Sequence, residues 1–377
     1  MQELLHGSMI LEDSALLQVP LVTKEFIFAV SNGLVDVVRL IVKVCADRVL
    51  TDGDGKRALA CASDMGHVDI VRLLVAAGAD MDLPDFDSKT ALMCACENGH
   101  VDVVRLLLDA GANKDLLDGW GHSALAYASF AGQAEVARVL LKAGADTELA
   151  DIGCKTALLF ASEKGLVEIV CLLLEAGADK DLQDIDGKTA LICASENGHI
   201  EVVRQLVEAS VAKDLADDCS RTALIHASHA GYVETARFLV EAGADKNLAD
   251  MDGKTALIYA CENQHVEIAR LLVEAGAATD YTANDYCRTA LICAAEKGDL
   301  QIVRLLLEAG ADKDLPDIDG KTALMCACDH GHVEIARFLV HAGADKVLSD
   351  SWGHTALVYA SFAGLDEIVR LLSNLGD

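Results

Sequence analysis

A segment of 33 residues recurs along almost the whole chain, and this repeat limits what the protein can fold into. The segment Asp317–Ser349 reads DIDGKTALMCACDHGHVEIARFLVHAGADKVLS. Copies of its opening stand earlier in the chain at intervals of 33 residues, with one interval of 34: Asp52, Asp85, Asp118, Asp151, Asp184, Asp217, Asp250 and Asn284. Such a period indicates a stack of small units. Each unit buries its apolar face only against its neighbours.

The copy from Asp184 to Ala216 shows how one unit predicts two helices. Its opening letters DIDG are typical of a turn. Thr189 is a good N-cap for a short helix over residues 190–197, and Gly198 is suited to end that helix in a left-handed conformation. The apolar residues that follow fall on one stripe of a second helix, from about residue 201 to residue 209.

The recurring motif D-x-D-G-K-T-A-L…G-H-x-E-I-V-R-L-L-L-E-A-G-A-D resembles the ankyrin repeat, over nearly the whole chain from about residue 20. This resemblance implies an all-α repeat solenoid of stacked helix–turn–helix units with projecting β-turn or hairpin tips. The family usually has Thr-Pro-Leu-His where this chain has Thr-Ala-Leu and an apolar residue. Because alanine is the best helix former, this difference leaves the expected fold unchanged.

The repeat predicts a single domain over residues 20–377, preceded by a tail or short capping helix at residues 1–19. An N-terminal cap covers residues 20–51 and a C-terminal cap covers residues 350–377. One extra residue lies within 278–283. The full repeats are predicted at residues 52–84, 85–117, 118–150, 151–183, 184–216, 217–249, 250–283, 284–316 and 317–349.

The charge and the cysteine content indicate the kind of partner and the compartment. The formal net charge is −29, which disfavours nucleic acid and anionic membrane surfaces and favours a basic or extended protein segment. The chain has 13 cysteines, an odd number, and its first residues lack the basic start and apolar run of a signal peptide. We therefore expect a monomer in the cytoplasm, with the nucleus as the alternative.

The sequence contains no pattern that predicts an enzyme, a cofactor or a metal site. It has no catalytic triad arrangement and no glycine-rich phosphate loop after a strand. One position of the first helix carries cysteine in five units and tyrosine, phenylalanine or histidine in others, which is typical of a packing position. Five histidines recur at the start of the second helix, where we expect capping residues: His67, His100, His199, His265 and His332.

The resemblance also implies where a partner would bind, since the family uses its turn tips and the inner face of the first helix. Most units carry Asp, Lys and Glu at these positions, which predicts a solvated and self-neutralising lattice. Two units depart from this pattern, and a third has a tyrosine at the same tip position. The candidate protein-binding residues are Trp120, His122, Phe130, Tyr286, Trp352, His354 and Phe362.

Two interpretations of these aromatic units stay open. Exposed Trp and Phe side chains anchor interfaces, so they would be binding residues of a non-catalytic scaffold. Alternatively, both units inherited the same residues when a two-unit block was duplicated, and the Trp side chains lie flat on their neighbours. The scaffold could also be the regulatory or targeting array of a larger protein such as a kinase, a channel or a ubiquitin-ligase adaptor.

Three single positions lead to further expectations. Asn247 matches the position at which ankyrin arrays are hydroxylated on asparagine. Ser210 and Gln264 stand where other units have the glycine that ends a helix. If these two residues are left-handed, each costs about 1 kcal/mol and makes a soft joint in the stack.

Overall fold

The computed structural model describes residues 26–49, 53–85, 87–281 and 288–373. Within these ranges the structure describes the side chains of all residues except 44–49 and 53–57. The predicted tail at residues 1–19 and the candidate Tyr286 lie outside the described residues.

The described residues form 22 helices, two for each unit. They are α1 (26–31), α2 (Val35–Val49), α3 (Gly53–Asp64), α4 (Val68–Ala76), α5 (Ala91–Glu97), α6 (Val101–Asp109), α7 (Ala124–Ala131), α8 (Ala134–Lys142), α9 (Ala157–Glu163), α10 (Val167–Glu175), α11 (Ala190–Glu196), α12 (Ile200–Glu208), α13 (Ala223–Ala230), α14 (Val233–Glu241), α15 (Ala256–Glu262), α16 (Val266–Glu274), α17 (Ala290–Lys297), α18 (Leu300–Glu308), α19 (Ala323–Asp329), α20 (Val333–His341), α21 (Ala356–Phe362) and α22 (Asp366–Ser373). Odd numbers are the first helices of the units and even numbers are the second helices.

The fold is an all-α repeat solenoid, as the sequence predicts. In the unit that begins at Asp184, α11 and α12 each end within one residue of their predicted bounds. The hydroxyl of Thr189 accepts the backbone N–H of Ile192 at 3.3 Å, which confirms the N-cap. Gly198 follows with a φ of 72°, which confirms the left-handed helix end.

The core of each unit is a thin apolar layer between its two helices and the helices of neighbouring units. In α11 and α12 the buried residues include Leu191, Val203 and Leu206. First helices pack on the first helices of adjacent units, for example α5 on α3 and on α7. Buried alanines such as Ala194 allow this close approach.

The turns between units form minimal hairpin tips. Antiparallel bridges close them at Ala150–Thr156, Ala216–Thr222, Ala249–Thr255 and Ser349–Thr355. Neighbouring tips are also joined through the backbone, because the N–H of Ile152 donates to the carbonyl of Trp120 at 2.9 Å. The N–H of Ser351 donates to the carbonyl of Asp319 in the same way, at 2.8 Å.

The contacts between residues divide the chain into two compact parts, unit 1 and unit 2, each of which contains several 33-residue repeats. Unit 1 comprises Met1–Ala161 and Leu166–Asp179, and unit 2 comprises Ser162–Gly165 and Lys180–Asp377. Each is described by itself below. The repeat boundaries and the single domain stay predictions.

Ser210 and Gln264 both adopt the expected left-handed conformation, with φ of 63° and 59°. At Ser210 the next helix-closing bond is also long, since the N–H of Val211 lies 3.4 Å from the carbonyl of Leu206. The equivalent bond from Ala244 is 3.0 Å. Sequence reasoning missed three more left-handed residues, which replace the glycine of a turn tip: Ser88, Cys154 and Ser220.

Candidate functional site

In each of the two aromatic repeats, an aspartate at the start of the repeat holds the turn that presents the candidate residues. The buried Asp118 accepts the backbone N–H groups of Trp120 and His122 on Oδ1, at 2.9 and 2.8 Å. Its Oδ2 accepts the hydroxyl of Tyr127, on the following helix, at 2.7 Å. Asp118 thus fixes the turn both along the chain and against α7.

The same three bonds hold the turn of the second aromatic unit. Oδ1 of Asp350 accepts the N–H groups of Trp352 and His354 at 2.9 and 2.8 Å. Its Oδ2 accepts the hydroxyl of Tyr359 at 2.6 Å. Burial and the bond to this carboxylate together raise the pKa of Tyr359 to about 12.

These hydrogen bonds decide the charge of Asp118. Burial by itself raises the pKa of this carboxyl. The bonds from the Tyr127 hydroxyl and from the backbone of His122 and Trp120 outweigh burial, so that the pKa lies below its ordinary value. The turn therefore contains a carboxylate, and the pKa of Tyr127 is raised by burial and by that carboxylate.

The candidate aromatic side chains are exposed to solvent. Trp120 and Phe130 in unit 1 are 49% and 52% exposed, and Trp352 and Phe362 in unit 2 are 62% and 81% exposed. Large exposed apolar groups of this kind are available to a partner. The interpretation in which both units inherited these residues by duplication and the Trp side chains lie flat on their neighbours stays open beside the binding interpretation.

In unit 1 the rings of His122, Tyr127, Phe130 and Phe160 form one cluster. The rings of His122 and Tyr127 lie 5.4 Å apart, and those of His122 and Phe160 lie 5.9 Å apart. Phe130 meets the buried Phe160 edge to face at 5.8 Å. The imidazole of His122 also lies between two carboxylates, 3.3 Å from Asp118 and 3.5 Å from Asp151. These contacts hold the inner side of the cluster in place, and its outer side, with Phe130, is exposed to solvent.

In unit 2, the repeat that begins at Asp350 has a similar arrangement on its turn and first helix. The ring of His354 lies 5.9 Å from Tyr359 and 6.4 Å from Phe362. The ammonium of Lys321, from the preceding repeat, lies 4.7 Å from the centre of the Tyr359 ring.

Both clusters interrupt a regular row of ion pairs. In other repeats the Lys before the helix binds a carboxylate eight residues later, and these distances are 2.6 Å for Lys89–Glu97 and 2.7 Å for Lys254–Glu262. The same two positions hold His122 and Phe130 in one aromatic unit. The predicted Lys–Glu lattice is confirmed, and each cluster is an apolar gap in it.

The predicted role of the recurring histidines is wrong in one respect. They stand at the N-cap of the second helix, but their side chains make no capping bond. Instead the ring Nε2–H donates to a carbonyl 36 residues earlier, in the preceding repeat, for example from His100 to Asp64 at 2.8 Å. The ring of His199 also fills the space above Gly165, where an added Cβ would lie 2.6 Å from it. These residues join neighbouring repeats.

The packing position of the first helix, which holds Cys, Tyr, Phe or His, also has a hydrogen-bonding role that the sequence did not indicate. Cysteines such as Cys193 and Cys293 are buried there, as expected. The polar members bond the turn aspartate of their own repeat, as His226 does with Asp217 at 2.8 Å.

Asn247 lies in a row of side-chain oxygens that bind the next repeat, since it accepts the N–H of Ala278 at 2.9 Å. Its hydroxylation stays a prediction.

One row of exposed apolar residues escaped the sequence interpretation. It lies at the second position of four turn tips: Ile152, Ile185, Met251 and Ile318. The signal was present, because the residue after the first Asp of these repeats is apolar in a turn that is otherwise polar. These side chains extend the apolar surface of the tips beyond the aromatic units.

Within residues 26–49, 53–85, 87–281 and 288–373, no group of His, Cys, Asp and Glu is arranged to hold a metal ion. No helix in these ranges has the length and apolar character needed to cross a membrane.

Comparison with known proteins gives one family. A family model described as ankyrin repeats, in three copies, matches residues 26–85, 77–151, 158–250, 245–317 and 311–377. No curated protein matches the chain significantly.

Proposed function

Since the chain belongs to the ankyrin repeat family, whose members are in general protein-interaction modules, we propose that it is a non-catalytic scaffold that binds another protein through its first helices and turn tips. The observation that carries this proposal is the pair of exposed aromatic clusters. Trp120 and Trp352 stand on turns fixed by buried aspartates, and Phe130 and Phe362 stand on the first helices that follow these turns. A rigid aromatic group loses little entropy when a partner covers it.

The charge of the chain supports a partner with a basic segment. The net charge is −29, and the lattice beside each cluster consists of carboxylates and ammonium groups already paired with each other. Since the chain has 60 Asp and Glu residues against 31 Lys and Arg residues, carboxylates remain in excess of these pairs and would attract an extended basic segment. The same charge repels nucleic acid and anionic lipid, and we place the protein in the cytoplasm as a monomer that carries no cofactor.

The test compares partner capture by the full chain and by two groups of variants. Trp120→Ala with Phe130→Ala, and Trp352→Ala with Phe362→Ala, remove one cluster each. Leu40→Ala, which changes an exposed apolar residue on the second helix α2 and so outside the proposed surface, is the matched control.

We expect the cluster variants to lose captured proteins that the control variant retains. Their unfolding free energies should stay within about 1 kcal/mol of the parent protein, since these side chains are largely solvated. Recovery of every partner by both cluster variants would eliminate the aromatic residues as binding groups. An array that regulates a larger protein would use the same surface, so the experiment does not depend on that choice.

A further inference from the structure

The last aromatic repeat, which begins at Asp350, has an apolar side of its first helix α21 that is open to solvent. The first aromatic repeat, on α7 in unit 1, has almost the same sequence but buries this side. Its Leu125 and Ser129 are buried, whereas the equivalent Leu357 is half-buried and the equivalent Ser361 is exposed. Two similar helices thus differ in whether another repeat covers them.

In unit 1 a phenylalanine and a leucine of the following repeat cover the first aromatic repeat. Phe160 meets Phe130 edge to face at 5.8 Å, and its ring lies 5.9 Å from that of His122. Leu166 lies over Gly132, where an added Cβ would be 3.4 Å from the leucine side chain. These side chains fit the surface of the aromatic repeat by contact along both of its helices.

An ion pair completes this junction in unit 1. The guanidinium of Arg138 on α8 binds the carboxylate of Glu168 on α10 at 2.7 Å. The last aromatic repeat has Arg370 at the equivalent position, and this arginine is exposed. An added Cβ at its Gly364 would meet no atom within 4 Å among the described residues. The last aromatic repeat can therefore accept a phenylalanine, a leucine and a carboxylate.

The N-terminal repeat, which forms α1 and α2, carries these three groups at the same spacing. Its residues 26–40 read FIFAVSNGLVDVVRL, and the covering residues 158–172 read LLFASEKGLVEIVCL. The groups that correspond to Phe160, Leu166 and Glu168 are Phe28, Leu34 and Asp36. Among all the repeats of the sequence, only these two have phenylalanine at the packing position of the first helix.

The matching residues of the N-terminal repeat are exposed in the structure. Phe28 is 59% exposed, although its counterpart Phe160 is buried. The carboxylate of Asp36 is exposed and lies 3.6 Å from Arg39 on its own helix. An exposed pair of this kind contributes little to stability, so Asp36 is available to a second arginine.

We propose that copies of this chain join head to tail, with the last aromatic repeat of one copy packed on the N-terminal repeat of another. The contact copies the one that Phe160 and Leu166 make in unit 1. Three pairs form between the copies: Phe362 with Phe28, Gly364 with Leu34, and Arg370 with Asp36. The opposite charges of the last pair favour this orientation. The inference goes beyond the proposed function, since the occupant is a second copy and not a different protein.

The contact between copies should be weaker than the junction in unit 1. Pro20 stands at the position of Ile152 and has no N–H with which to repeat the bond from Ile152 to Trp120. Only one repeat of each copy takes part, so we expect a dissociation constant of roughly 10–100 μM. The protein is then a monomer in dilute solution and associates when concentrated. Because the two contacting surfaces differ, the association can continue into rings or open chains.

The first experiment follows the full chain by sedimentation velocity between about 1 and 300 μM. The sedimentation coefficient of the parent should rise with concentration, and Phe362→Ala or Phe28→Ala should each weaken association at least about tenfold. Val347→Ala, at an exposed apolar residue outside both surfaces, is the control and should associate like the parent. A parent whose sedimentation does not change with concentration, or a Phe28→Ala protein that associates like the parent, would overturn the proposal.

A mixture of the two variants separates a head-to-tail contact from a symmetric one. Phe28→Ala retains the intact C-terminal surface, and Phe362→Ala retains the intact N-terminal surface. Together they should form dimers with the affinity of the parent, and nothing larger, although each alone associates weakly. This recovery would also show that both variants are folded. A mixture that associates no better than its components would contradict the inference.

The ion pair is tested by exchange of its charges. Arg370→Glu alone, or Asp36→Arg alone, sets like charges against each other and should weaken association roughly fivefold at low salt. An equimolar mixture of the two has opposite charges at every contact and should associate like the parent. If the mixture shows no recovery, Arg370 does not pair with Asp36 and the proposed register is wrong.

This inference and the proposed function fail in different ways. If the cluster variants lose captured partners but the full chain shows no self-association, the scaffold function stands and only the head-to-tail contact is wrong. If the copies associate as expected while every cluster variant retains all partners, the contact is correct and the proposed role of the aromatic clusters in binding another protein is wrong.

Discussion

Removal of one hydroxyl, by Tyr127→Phe, tests whether the turn aspartates hold the binding surface in place. The side chain of Asp118 is 0% exposed, so a lost partner cannot be replaced freely by water. A hydrogen bond to a charged group contributes about 1.5–3 kcal/mol. Because His122 Nδ1 stays 3.3 Å from the same oxygen, we expect the lower part of this range, about 1.5–2 kcal/mol at pH 7.

The loss should depend on pH in a defined direction. The pKa of Asp118 is lowered in the folded protein, because hydrogen bonds from Tyr127 and two backbone N–H groups outweigh its burial. A carboxyl whose pKa is lowered stabilises the fold above its unfolded pKa of about 3.9. This contribution disappears as the pH falls through the folded pKa. The difference between Tyr127→Phe and the parent should therefore be full at pH 7 and shrink below about pH 4.

The assay can be local, because Trp120 and Trp352 are the only tryptophans of the chain. In a Trp352→Phe background, tryptophan fluorescence during urea titration reports on the turn that Asp118 holds. A local probe suits a repeat protein, whose sections can unfold separately. The free energy follows from the midpoint and the slope of each titration.

Tyr232→Phe provides the control, since this partly exposed tyrosine stands at the start of α14 and makes no bond to a turn aspartate. Followed by circular dichroism, it should change the unfolding free energy by less than about 0.5 kcal/mol. A Tyr127→Phe protein as stable as its parent at pH 7, or an equal loss at pH 7 and pH 3, would refute the assigned role of the hydroxyl.

Three further stability predictions follow from buried and strained positions. Ser195→Ala should be neutral or stabilising by up to about 1 kcal/mol in urea titrations, because its buried hydroxyl has no partner and Ala295 stands at the same position in another repeat. Ser210→Gly should relieve the left-handed strain, add about 0.5–1 kcal/mol and increase the hydrogen-exchange protection of residues 184–216; unchanged protection would mean that Ser210 is no soft joint. Leu257→Ala, at a fully buried position, should cost about 2–5 kcal/mol and reduce exchange protection mainly in its own and adjacent repeats.

Local chemistry made much of the fold readable. The period of 33 residues, the Thr before most first helices and the glycine after most of them fix where helices begin and end, since capping acts within a few residues. The aromatic positions Trp120 and Phe130 could be found because they break a periodic pattern, and the left-handed Ser210 could be found for the same reason. These features require only neighbours along the chain and comparison with the other repeats.

The sequence by itself thus determined the repeat, the helices, the family and the residues that depart from the repeat pattern, such as Trp120 and Ser210. Only the tertiary structure decided what faces what. The bond from His100 to the carbonyl of Asp64, the contact of His122 with Asp151 and the bond from the N–H of Ala278 to Asn247 join different repeats. Such contacts depend on how one repeat is set against the next, and no short-range rule of the chain specifies that setting.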